Sequence, residues 1–192
     1  MLNLNDLYTS LKDLANIPQS EWQDFEKNWQ TKKYAKADHL LKADEYEKGV
    51  HYITKGSVRL YYVTPEGKEF NQTFKFEGDL VSGYASLIMS QKSWYFIETM
   101  ETTETFFLEY KVLLEFFGRH ACWERLGRKI AEEHYIRKER REFAFLSLSA
   151  EQRYQQMLEE RPKYMERVPQ YHVASYLGIT APAFNRLLKG QK

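Results

Sequence analysis

The sequence predicts an α+β chain in which a β-rich roll or barrel is followed by a long helix and a C-terminal helix-turn-helix. Three observations carry this. Short runs between glycine-bearing turns fill residues 34–110, a proline-free and heavily charged stretch follows from Val112 to Phe145, and a small-residue corner runs from Ala174 to Ile179.

The 192 residues can bury one large core or two modest ones. A hydrophobic share of 43% beside a charged share of 29% is globular composition and argues against disorder. Cys122 is the only cysteine, which excludes an intrachain disulfide and a cysteine-built zinc site. Met1 to Leu14 alternates polar and apolar residues without the apolar core of a signal peptide. No stretch reaches the ~18 apolar residues of a membrane span, so a cytoplasmic protein with no membrane partner is expected.

The net charge of +1 hides an asymmetry. From Arg161 to Lys192 six basic residues face one acid, Glu166, which gives +5 and leaves −4 on residues 1–160. Positive potential gathered at one end is where a phosphate backbone would be met, although a basic tail serving solubility is the plainer alternative.

Leu4, Leu7, Leu11 and Leu14 recur at helical spacing until Pro18 interrupts them. Ser20 with Gln23 reads as a capping box for a second helix bearing Trp22, Phe25 and Trp29 on one side. Val58–Val63 and Phe70–Phe76 read as strands joined by a turn at Pro65-Glu66-Gly67-Lys68. No helical runs separate these strands, which favours an all-β roll over a βαβ fold.

Beyond Tyr110 only Gly118 and Gly127 interrupt one or two helices, on which Leu126, Ile130, His134 and Arg137 share a face. The part from Trp123 to Phe145 would span about 34 Å at the α-helical rise. Such a helix needs cover, either a second copy of itself or its own β-domain. Ser149 with Gln152 opens a further helix that stops near Pro162.

The sharpest motif runs from Val168 to Leu188. Pro169 and Pro182 suit opening helical turns, Gly178 suits a tight corner, and Thr180 is a candidate N-cap. Ala174 supplies the small side chain that two steeply crossing helices need, while Phe184, Leu187 and Leu188 anchor the second to the first. If that second helix enters a major groove, Ala181, Ala183, Asn185, Arg186 and Lys189 are its exposed candidates. Arg186 suits guanine or a phosphate, and Asn185 suits adenine or the backbone. Thr180 and Lys189 suit phosphates, and Tyr171 and His172 the flanking backbone, with His172 equally readable as an ordinary exposed side chain. An αα-hairpin that merely packs is the competing reading.

Gly56-Ser57-Val58-Arg59-Leu60-Tyr61-Tyr62, Phe76-Glu77-Gly78-Asp79, Arg153-Tyr154, Val168-Pro169 and Ala174-Ser175-Tyr176-Leu177-Gly178-Ile179-Thr180 together resemble the cyclic-AMP receptor protein (Crp/Fnr) family of bacterial transcription regulators, most closely its short, Bacteroidetes-like branch. The resemblance implies a cupin-like, cyclic-nucleotide-binding-like double-stranded β-roll, a homodimer along the long helix, and two recognition helices on double-stranded DNA. RNA polymerase is a further partner it allows. The domains would then be a β-roll sensory domain with N-terminal helices at 1–118, a linker and dimerisation helix at 119–146, and the helix-turn-helix domain at 147–192.

The resemblance also implies an effector pocket near Gly83, Tyr84, Lys92, Ser93 and Trp94. The Glu that cyclic-nucleotide binders place on the ribose falls on or beside Gly83, and their phosphate-binding Arg falls near Ser93. Lys92 is adjacent but lacks the planar fork. A buried phosphate without its counter-charge costs several kcal/mol, so the usual cyclic-AMP contacts are not expected and any effector stays open. Trp94, Tyr95 and Phe96 would fill the pocket or line it for a more apolar molecule. Cys122 alone cannot hold the iron–sulfur cluster of the redox-sensing members.

Pro182 stands where close members often carry an acid, and Leu188 where they often carry a base, which should alter sequence preference more than affinity. After Gly190 no β-wing is expected. His39, His51, His120, His134 and His172 are scattered, and Glu98, Glu101, Glu104 and Glu109 lie near no activated nucleophile, so neither a metal nor an enzyme is expected. The alternative function is a small-molecule-binding or structural β-roll dimer that has lost DNA binding.

Overall fold

At the N-terminus, the Asn3 side chain accepts from the amides of Asn5 and Asp6 while Asp6 accepts from the Asn3 amide. This reciprocal cap opens α1 (Leu4–Ala15), and Asn16, in the left-handed conformation, closes it. Leu7, Leu11 and Ala15 turn inward, whereas Leu14 is exposed. Helix α2 (Gln19–Phe25) lacks the expected Ser20–Gln23 box: Pro18 is its N-cap, and Ser20 already lies inside the helix. Proline's fixed φ starts this helix without help from a side chain.

The computed structural model describes residues 2–189, which divide into two compact units. The first runs to Leu60 and resumes from Lys75 to Glu133; the second joins Tyr61–Phe74 to the chain from His134 onward.

The strands are β1 (Gln30–Tyr34), β2 (His39–Leu41), β3 (Gly49–Lys55), β4 (Val58–Val63), β5 (Glu69–Lys75), β6 (Leu80–Val81), β7 (Phe96–Thr99) and β8 (Thr103–Glu109). They form two four-stranded sheets, ordered β1-β8-β3-β6 and β2-β7-β4-β5. This is the double-stranded β-roll expected from the sequence. Leu41, Ile53, Val58, Leu60, Val81 and Ile97 form one apolar cluster within it. A short helix, α3 (Tyr84–Met89), lies in the chain between β6 and β7.

A second cluster joins Leu7, Leu11, Trp22, Phe25, Tyr52, Leu108, Phe116, Trp123 and Leu126. It ties α1 and α2 to α4 (Tyr110–Phe117) and to the start of α5 (Ala121–Ser147). The charged stretch is therefore two helices, with Gly118 as the C-cap of the first. The 27 residues of α5 extend about 40 Å.

In the second unit the tip of the β4–β5 hairpin turns where expected. Thr64 N–H donates to Lys68 O at 3.0 Å, and Gly67 adopts φ 79°. The unit also holds the later part of α5, then α6 (Ala150–Glu160), α7 (Lys163–Arg167), α8 (Gln170–Tyr176) and α9 (Ala181–Lys189). The Ser149–Gln152 capping box is present, and α6 ends at Glu160, two residues before Pro162.

Candidate nucleic-acid interface

The corner between α8 and α9 is built as its residues dictate. Pro169 is the N-cap of α8, one position earlier than a first-turn proline. Val173, Ala174 and Leu177 are buried. Gly178 takes φ 73°, and a Cβ there would meet Phe145 Cε1 at 2.6 Å, so both backbone and space call for glycine. Ile179 N–H donates to Ala174 O at 3.0 Å, closing the turn. Thr180 is the N-cap of α9: its hydroxyl accepts from Ala183 N–H at 3.3 Å. Phe184 is fully buried against the Tyr154 ring, 5.6 Å between centroids.

With its inner face so held, α9 leaves Thr180, Ala181, Pro182, Asn185, Arg186 and Lys189 exposed; Ala183, Leu187 and Leu188 are half-buried. Tyr171 is also exposed. His172 is placed differently: it is half-buried, and Asn71 Nδ2 lies 3.1 Å from its Nδ1. The expectation about a wing after Gly190 lies outside the described residues.

In the first unit, three of the five expected effector residues border one small cavity. Ser86, Met89, Lys92, Ser93 and Trp94 border a cavity of about 10 Å³, room for roughly one water. Ser93 is buried and bonded locally, its Oγ donating to Tyr95 O at 2.8 Å. Lys92 is exposed and pairs through its backbone with Tyr46. Of the three aromatic residues, Trp94 faces solvent at 62% exposure while Tyr95 is buried, its hydroxyl donating to Ser82 O at 3.3 Å. Tyr84 is half-buried, and burial followed by the nearby Tyr110 raises its phenol's pKa.

Gly83 has a neighbour that the sequence reading missed. Glu47 Oε2 accepts from Gly83 N–H at 2.7 Å, and Glu47 Oε1 accepts from the amides of Lys48 and Gly49 at 2.8 and 3.2 Å. Burial raises this carboxyl's pKa, against the opposite pull of those three backbone donors. Ser86 Oγ accepts from Glu47 N–H at 3.0 Å. The chain itself thus supplies a carboxyl group at the start of α3.

Among the described residues, no helix is long and apolar enough to cross a membrane, and no three His, Cys, Asp or Glu side chains gather as a metal site.

The two four-stranded sheets, with a short helix in the chain between β6 and β7, make up a double-stranded β-roll. Residues 31–120 match the family model described as cyclic nucleotide-binding domain. The comparison with curated protein sequences gave no match. Solved structures extend the likeness over most of the chain. FixK2 from Bradyrhizobium japonicum superposes with a TM-score of 0.73 at 19% identity, covering 84% of this chain and 83% of that one. The c-di-GMP responsive global regulator CLP from Xanthomonas campestris gives 0.69 at 16%, covering 91% of each. The catabolite activator protein of Thermus thermophilus gives 0.60 at 17%, covering 96% and 85%. The resemblance to Crp/Fnr regulators read from the sequence is borne out in the fold.

Proposed function

We propose that the chain is a DNA-binding transcriptional regulator of Crp/Fnr type, acting as a homodimer through α5 and without the usual cyclic-AMP contacts. The observation that carries this is α9. Phe184 clamps its inner side, while Asn185, Arg186 and Lys189 stand exposed in a segment of net charge +5. Its functional division follows residues 1–118, 119–146 and 147–192. Tyr135, Ile136, Phe143 and Leu146, all exposed on the later part of α5, supply apolar surface for a second copy. The chain is no enzyme on this reading, and RNA polymerase is its further partner.

Duplex DNA should bind with an affinity that falls steeply between ~50 and ~200 mM salt. Replacing Arg186 and Lys189 together by alanine should weaken binding to a selected site roughly tenfold to a hundredfold and flatten the salt dependence. Salt-insensitive binding, or none, by the unmodified dimer rejects the reading.

The effector side has its own support. The cavity beside Lys92 and Ser93 has room for about one water, no arginine stands at Ser93, and Glu47 already occupies the Gly83 amide. Cyclic AMP at millimolar concentration should therefore leave the melting temperature unchanged, because a ligand that binds the folded state must raise it. A rise of several degrees overturns this part alone.

A further inference from the structure

Strand β5 is the outer strand of its sheet, and an outer strand leaves backbone N–H and C=O groups without a strand partner. In the second unit these groups are satisfied by side chains from the helices. Asn71 N–H donates to Ser175 Oγ of α8 at 3.0 Å, and the same hydroxyl donates to Glu69 O at 3.2 Å. Ser175 thereby answers two neighbouring backbone groups as a paired strand would. Arg141 of α5 donates through one nitrogen to Asn71 O at 3.2 Å and to Tyr176 O at 3.0 Å. Its guanidinium stacks on Tyr176 and Phe145, 4.3 and 4.7 Å from the ring centres. The Tyr164 hydroxyl of α7 lies 3.3 Å from Phe74 N and 3.3 Å from Phe74 O. The Asn71 side chain, 2% exposed, donates to His172 O at 3.3 Å.

Those made by Ser175, Arg141 and Asn71 converge on α8, the helix before the corner. None of Asn71, Arg141 or Ser175 lies on α9. Because Ala174, Gly178 and Phe184 fix the crossing of α8 and α9, whatever fixes α8 also sets the stance of α9. We propose that the edge of β5 is a docking rail for the helix-turn-helix, with Ser175, Asn71 and Arg141 as positioning residues for DNA reading that touch no DNA. This rests on the DNA-binding reading above.

Three readouts on Ser175→Ala, with Ser175→Thr as the conservative variant, test it. Hydrogen exchange of the α8 amides should quicken about tenfold in Ser175→Ala and return toward the unmodified rate in Ser175→Thr, since the hydroxyl is kept. The ratio of selected-site to random-duplex affinity should fall about tenfold, with an unchanged salt slope because no phosphate contact is lost. If Ser175→Ala does not fold, Tyr164→Phe removes another rail contact and should act in the same direction. Unchanged exchange in α8, an unchanged affinity ratio, or tighter site binding overturns the proposal. If the unmodified protein binds no DNA, the DNA-reading proposal fails together with the positioning role. Exchange alone then still decides whether β5 holds α8.

Discussion

Phe184→Ala is expected to destabilise the second unit by about 3–5 kcal/mol and to abolish site-specific DNA binding. The side chain is fully buried against Tyr154, and it is the apolar anchor through which α9 is held. Truncation removes its transfer energy and leaves a cavity into which the surrounding side chains collapse only in part. The expectation is sharpened by where the tryptophans sit. Trp22, Trp29, Trp94 and Trp123 all belong to the first unit, so their fluorescence reports that unit, whereas far-ultraviolet dichroism also reports α6 to α9. In urea, the variant should lose its helical dichroism at lower denaturant while the tryptophan transition stays near its original midpoint. A dichroism curve that superposes on the unmodified protein's rejects the anchoring role.

What the sequence made legible was local. The β4–β5 turn followed from Pro65 and Gly67, the α6 cap from Ser149 and Gln152, and the α8–α9 corner from Ala174, Gly178 and Thr180. Each of these depends on residues a few positions apart, where backbone sterics and side-chain reach act directly. The one failed cap, Ser20–Gln23, shows the limit even there. Two start signals overlapped, and Pro18, whose φ is fixed covalently, set the helix two residues ahead of the serine.

The pairing of the strands lay beyond such reasoning. Strand β8 lies between β1 and β3, and β7 between β2 and β4, and no turn signal encodes either neighbourhood. The same is true of the two contacts that bear most on function. Glu47 meets Gly83 from 36 residues away, and Ser175 meets Asn71 from 104. In the sequence Glu47 is one exposed-looking acid among many, and Ser175 one small polar residue on an amphipathic helix. Only the fold makes the first a partner of a buried amide and the second a surrogate for a missing strand. The candidate residues on α9 were readable because they follow a motif. What holds α8 was not, because it sits on strand β5.

The stability of the β-roll should fall as pH is lowered from 7 to 4, with His51 a principal cause. His51 lies in β3 with Nδ1 3.0 Å from Thr105 Oγ1, its ring tilted against Phe107 and edge-on to Tyr34. Burial first, and the positive charge of Lys32 second, lower its pKa from 6.5 to about 4. In the unfolded chain the same imidazole takes up a proton near pH 6.5, so between these values the unfolded state binds more protons than the folded one. Folding stability is therefore complete above about pH 6.5 and is lost progressively as pH falls toward 4, by about 3 kcal/mol at most. Glu47 acts in the opposite sense, since a raised carboxyl pKa favours the folded state at low pH. Comparison with His51→Gln separates the two, because Glu47 is common to both proteins. Urea midpoints followed by tryptophan fluorescence at pH 7, 5.5 and 4 should fall more steeply for the unmodified protein than for the variant. Equal slopes would mean that the buried imidazole finds a way to carry its proton inside the roll.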